Sequence, residues 1–325
     1  MAHKVETMAY RGEVPWHGLG NRVEDGATAK QMAVAAGVDG LIILKRPLVA
    51  GRPNPDADPE FIFDNPVAGH FGLVRSDNGK VLEVVGSKFQ VTQPRVAVNF
   101  LHEFVSAGDA TMETMGILDE GRLVWGLAKL GTSDVKPGDA VNEYLLVALP
   151  YMLGKANIVK RVHERVVCHN TYTAALRENG AEYRLSHRRA FGELEQAEAR
   201  HVLDLAREQL ESERATMRAL ANVTMAYEDV LKTLAGVFDP DLEVEPGMDL
   251  AEKGNRAINK VMMAYATAPG ADPGTAWGAF NAATYYADHV AGRSPDSRLR
   301  SAWFGQMANA KDATLDALLV GAGLK

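Results

Sequence analysis

The hydrophobic pattern of this chain changes period near residue 190, and that change constrains the fold more than any other feature. Before it, apolar and β-branched residues form short runs punctuated by Gly, Pro, Asn and Asp, as strands and turns do. After it, the run ELEQAEARHVLDLAREQLESERATMRALANVTMAYEDVLKTLAGVF spaces apolar residues three and four apart among many charges, as an amphipathic helix does. The predicted fold class is therefore α+β. It has an N-terminal half of antiparallel β-hairpins with helices (1–190) and a helical C-terminal half (191–325).

Local signals sharpen this division. TAKQMAVAAG reads as a short helix with Thr28 as N-cap and Gly37 just past its end. LIILKRPLV reads as a strand, and GHFGLVRSDNGKVLEVVGSKFQVTQ as a hairpin turned at Asn78-Gly79, a pair suited to positive φ. PRVAVNFLHEFVSAG reads as a helix with Pro94 in its first turn and Gly108 at its end. TMETMGILDEG, RLVWGLAKLG and EYLLVALPYM add strands, the first two parted by an Asp-Glu-Gly turn. The long helix is expected to break near Asn222 and to bury Leu194, Leu203, Leu205 and Leu210. Three further helices follow the connector DPDLEVEPGMD.

Composition narrows the function classes. With 46% hydrophobic and 24% charged residues among 325, the chain can bury a core without covalent staples. Its single cysteine, Cys168, excludes an intrachain disulfide and a Cys-rich zinc site, which points to a reducing cytoplasm. MAHKVETMAYRGEVPW lacks the apolar run of an export signal, and YLLVALPYML is too short to span a bilayer, so no membrane partner is expected.

The net charge of −7 opposes phosphate binding by the surface as a whole, but the charge is uneven. Residues 155–189 hold eight Lys/Arg against three Glu, a net of +5, leaving −12 for the remainder. At the centre of that band stands KRVHERVVCHNTYTAAL. Alternation places Arg161, His163 and Arg165 on one strand face and Val162, Glu164 and Val166 on the other. Asn170 and Thr171 or Thr173 read as caps of a following helix, whose N-terminus, with Lys160, Arg161 and Arg165 near, would attract an anion. Pairing of the same arginines with acidic helices downstream is an equally weighted reading. Adjacent strand residues point to opposite faces, so Cys168 and His169 make no catalytic dyad, and their spacing suits no metal. Cys168 reads as a packed, inert side chain.

Trp16 in PWHGLG reads as an aromatic-bearing turn, with base stacking as its alternative role; Lys88 and Phe89 in GSKF either continue a strand or contact backbone and base. The stripe Trp277, Asn281, Thr284, Tyr285 and Asp288 lies on one helix face and reads first as a hydrogen-bonded seam between helices.

Together PWHGLG, VVGSKFQVTQ, RVVCHNTYTAAL, and GTAWGAFNAATYYADH followed by AWFG resemble the phage/plasmid-like proteins built on a domain of unknown function, number nine-three-two in its series. The order matches over nearly the whole chain. Departures are His for Asn at the Cys168-His169 pair, and Tyr285-Tyr286-Ala287 for Glu-Tyr-Val. The resemblance implies a mobile-element origin and no assigned activity. With the basic band, it leads to the expectation of a nucleic-acid-binding accessory protein that binds or anneals single strands in replication or recombination. Its contacts would be Lys160, Arg161, His163, Arg165, Lys88, Phe89, Trp16, Arg188 and Arg189, with no catalytic residue, cofactor or metal, and it would be a homo-oligomer. The alternatives are an enzyme using a cleft between the halves, with His163 or Asp288 in acid–base work, and a protein that binds a host factor through its helical half.

Overall fold

The computed structural model describes residues 5–12, 19–54, 56, 60–165, 170–172, 182–248, 250, 256–293, 298, 301–302 and 305–325, with backbone alone for 162–165, 170–172 and 202–213. Among the described residues an eight-stranded sheet organises the N-terminal half. It is formed by β1 (Val5–Tyr10), β2 (Asn21–Arg22), β6 (Thr111–Leu118), β7 (Leu123–Lys136), β8 (Asp139–Pro150), β9 (Ala156–Arg165), β10 (Asn170–Tyr172) and β11 (Glu182–Ser186). The spatial order is β10-β9-β8-β7-β6-β1-β2, with β11 on the same edge of β9 as β10, further along the strand. All pairs are antiparallel except β1 with β2.

A smaller sheet, β3 (Ile43–Pro53), β4 (Phe61–Arg75) and β5 (Val81–Gly86), adjoins it. Buried Arg75 ties the two sheets, reaching Glu6 on β1 at 2.5 Å and Asp77 in the β4–β5 turn at 2.6 Å. That turn differs from the expected two-residue type. Ser76 to Gly79 form a longer loop closed by Arg75 N donating to Lys80 O (2.9 Å), and of the expected pair only Gly79 has positive φ.

Helices α1 (Ala29–Ala35) and α2 (Pro94–Ser106) cover one sheet face. Thr28 caps α1 in a capping box with Gln31, and Gly37 and Gly108 take positive φ beyond the two helices, as their sequences predict. α2 packs tightly over Gly126, because a Cβ there would stand 2.5 Å from Leu101 Cδ1. Strand alternation sends Leu145, Val147, Leu149 and Val159 to this core, and Leu127, Tyr144, Leu146, Ala148 and Ile158 to two smaller clusters on the opposite face.

The long helix α3 (Glu193–Asn222) ends where the sequence places its break, and α4 (Tyr227–Phe238) follows. With α5 (Ala257–Thr267), α6 (Ala276–Tyr285), a π-helical turn (Tyr286–Val290) and α7 (Gln306–Gly321), they enclose a second core around Trp277, Phe280 and Leu318. Ala199 of α3 belongs to the first core, while Met217 and Leu220 belong to the second. Leu194, expected inside, is 77% exposed: it stands in the first turn of α3, between Phe191 and Ala199, which are the residues that join the first core there. The side chains of Leu203, Leu205 and Leu210 lie outside the described residues. The tip of the β7–β8 hairpin enters the helical core through Val135 and Val141.

Candidate nucleic-acid interface

Strand β9 carries the expected basic run, and its register agrees with the predicted alternation. Arg161, His163 and Arg165 pair with Leu145, Glu143 and Val141 of β8, so they share the face that α3 packs against. The consequence for function is a correction. Arg161 is 7% exposed on that covered face, and Lys160, on the other face opposite Leu146, is 5% exposed. Neither is placed to track phosphates, because both side chains are buried, Arg161 on the face that α3 covers and Lys160 on the opposite face.

The same helix face brings Arg214 to Glu143, whose Oε1 accepts from Nε at 2.9 Å and Nη2 at 2.8 Å and which is 2% exposed. That pair lies outside the 155–189 band and is how a buried carboxylate is tolerated; within the band, the expected pairing with an acidic helix is made by Arg189, with Glu195 and Glu198 of α3. Asn170 and Thr171, expected as helix caps, instead lie in β10, hydrogen-bonded back onto Arg165 and Glu164. The side chains of His163 and Arg165, together with Trp16, Cys168, His169 and Thr173, lie outside the described residues.

A different group converges at the end of the sheet where β11 finishes. Strand β5 stops at Gly86, and Phe89 N donates back to Gly86 O at 3.2 Å, so Lys88 and Phe89 occupy a turn rather than a strand. Gln90 N then reaches His187 O at 2.5 Å, and the Phe89 ring stacks on that of His187 with centroids 4.2 Å apart and planes 14° apart. Lys45 fastens this turn, donating from Nζ to Ser87 O (2.6 Å) and Phe89 O (3.0 Å) while lying over the Phe71 ring.

His187 itself is 6% exposed, with Nε2 at 2.8 Å from Pro150 O and Nδ1 at 3.2 Å from Gln90 O. Burial pushes its pKa below the ordinary histidine value, so the ring is held neutral and donates from one nitrogen only. Three exposed cations stand at chain positions adjoining this anchored stack: Lys88 in the turn, Arg188 after His187, and Lys155 before Ala156, the β9 partner of Ser186. Arg189 is exposed but engaged by Glu195 (3.0 Å) and Glu198 (3.3 Å) at the start of α3. Phe89 is half-buried with one ring face on His187, which limits it as a platform for a base.

Sequence reasoning singled out Lys88, Phe89, Arg188 and Arg189 separately and missed His187 and Lys45. The His-Arg-Arg run directly after a β-rich pentapeptide was the available signal for His187.

The helical half offers no comparable opening at the residues considered for acid–base work. Asp288, 7% exposed, lies 2.8 Å from Lys311 Nζ, which is fully buried. Trp277 Nε1 donates to Asp139 Oδ2 (2.8 Å), Asn281 Nδ2 to Trp277 O (2.9 Å) and Thr284 Oγ1 to Asn281 O (2.9 Å). The stripe is largely buried and hydrogen-bonded as expected, but the Asn281 and Thr284 bonds return to carbonyls of α6 itself; Trp277 joins the helix to the β7–β8 hairpin and Asp288 joins the following turn to α7. Among the described residues no group of three or more His, Cys, Asp or Glu is placed to hold a metal, and no helix is long and apolar enough to cross a membrane.

Comparison with known proteins adds one finding. The model of the family described as a domain of unknown function, DUF932, matches residues 81–303. The chain belongs to the DUF932 family. No curated protein and no solved structure matches it. The DUF932 match begins at β5 and ends before α7, so it takes in the Phe89–His187 stack, β9 and the seam along α6.

Proposed function

We propose that the protein is a nucleic-acid-binding accessory factor of a phage or plasmid, acting on single strands in replication or recombination. The observation that carries this reading is that exposed Lys88, Lys155 and Arg188, from three separate segments, occupy backbone positions adjoining the Phe89–His187 stack. Cations held near a fixed backbone can follow a phosphate chain without folding on contact, and the acidic remainder of the chain limits indiscriminate binding. The mechanism is non-covalent. Lys88, Lys155 and Arg188 neutralise phosphates, while Arg189 is available only when it leaves Glu195 and Glu198.

The test is a salt titration of binding to labelled single-stranded DNA. Replacing Lys88, Lys155 and Arg188 by Ala is expected to weaken binding to all sequences and to reduce the slope of log affinity against log salt by about 0.7 per lost contact. A folded triple variant with unchanged affinity and slope would overturn the proposal. Arg161→Ala is expected to change the melting temperature and to leave the slope alone, because its side chain is buried beneath α3.

A further inference from the structure

Strands β3 and β4 continue well beyond the body of the molecule. β5 pairs with β4 only over His70–Val74, whereas β3 and β4 pair out to Pro53 and Phe61. From Pro47 to Pro53 the ribbon extends roughly 20 Å as two strands alone, with β4 exposed from Phe63 to His70. A two-stranded ribbon of this kind is marginal by itself in water and is stabilised by covering a face.

The ribbon carries Phe61 (57% exposed) and Phe63 (68%) at its distal end and Val49 (44%) and Val67 (41%) nearer its base. Phe63 lies over Gly51, where a Cβ would stand 2.9 Å from its ring, so the glycine leaves room for that ring to lie against the ribbon. Pro47, Pro53 and Pro66 remove backbone donors along the strands, which discourages edge-to-edge pairing and leaves the faces as the mating surface.

Charge is polarised along the arm. At the distal end Arg52 is paired with Asp64 (2.7 Å), which leaves Asp56 and Glu60 as a net of −2 among the described residues. At the base, Lys45 and Arg46 outweigh Glu83, a net of +1. The negative tip disfavours a nucleic acid as its occupant. A two-fold axis, in contrast, sets the tip of one arm on the base of another and repeats the same favourable contact twice, as an isologous interface requires.

We infer that the β3–β4 arm is a dimerisation element whose partner is a second copy of this chain, clasped antiparallel through Phe61 and Phe63. The four apolar side chains offer roughly 300 Å² per copy. A standard interface takes about 800 Å² per partner, so tip-to-base polar contacts and the ribbon backbone complete it. The inference stands apart from the nucleic-acid reading, and its test is made without nucleic acid.

Sedimentation velocity of the full chain from roughly 1 to 100 µM, the range in which an interface with few anchors associates, is expected to show a monomer–dimer equilibrium. Phe61→Ser with Phe63→Ser is expected to raise the half-dimer concentration at least about tenfold, with the melting temperature unchanged because both rings are exposed. A tip variant (Asp56→Lys, Glu60→Lys) and a base variant (Arg46→Glu) are each expected to be monomeric alone and to dimerise when mixed, since only the mixture restores opposite charges at both contacts. A wild-type monomer at every concentration, a dimer indifferent to the phenylalanine changes, or charge variants not restored by mixing would each overturn the inference.

Discussion

His187 shows how much one side chain can report on its surroundings. Its folded-state pKa is depressed by burial, so keeping it neutral contributes stability that is fully present above the ordinary histidine value of about 6.5. That contribution is lost as the pH falls below this value and through the depressed one. The expected outcome is a melting temperature that falls between pH 7 and pH 5, and a smaller fall in His187→Phe, which keeps a ring against Phe89 and has nothing to titrate. Parallel curves for the two proteins would mean that other groups set the pH dependence. Lys311 and Asp288 make a second case at this scale. Lys311→Met alone leaves the carboxylate buried without its 2.8 Å cation and is expected to cost about 3–5 kcal/mol in equilibrium denaturation. Adding Asp288→Leu is expected to recover most of that loss, because two apolar side chains can replace a buried ion pair.

Among the elements, the junction of β1, β6 and β7 depends on a missing side chain. A Cβ at Gly116 would stand 2.3 Å from Trp125 Cη2 and 2.6 Å from Thr7 O, and the second of these is backbone that cannot swing aside. Gly116→Ala is expected to cost about 1–3 kcal/mol, read as a lower denaturation midpoint with an unchanged slope. The short helix α1 depends on its cap instead. Thr28 Oγ1 accepts from Gln31 N at 3.2 Å, and Gln31 Oε1 accepts from Thr28 N at 2.9 Å. Thr28→Ala is expected to cost about 1 kcal/mol, measured in the same way.

For the whole molecule, the change of pattern near residue 190 marks a change of secondary structure, while the packing crosses it. α3 spans about 45 Å over its 30 residues, long enough to place Ala199 in the first core and Leu220 in the second. From the other side, the β7–β8 hairpin carries Asp139 to Trp277, and Lys136 to Asp272 at 2.6 Å. Calorimetry is therefore expected to show one cooperative unfolding transition. Two resolved transitions would show that the halves are held by weaker coupling than these contacts imply.

Local signals in the sequence determined the elements that local energetics control. Thr28 and Gly37 bracket α1, Pro94 and Gly108 bracket α2, and the loss of helical period at Asn222 ends α3, since caps, proline and glycine act within a few residues of themselves. Alternation also determined that Arg161, His163 and Arg165 share a face. It did not say which face would be covered, and so Lys160 and Arg161 read as an accessible edge. Only the tertiary packing, with α3 docked on the Arg161 face, buried them. Nor does any local pattern place Lys88 beside Arg188, one hundred residues later. That neighbourhood exists because β11 returns along β9 and the chain after β5 hydrogen-bonds to His187, contacts that form only between segments distant in sequence.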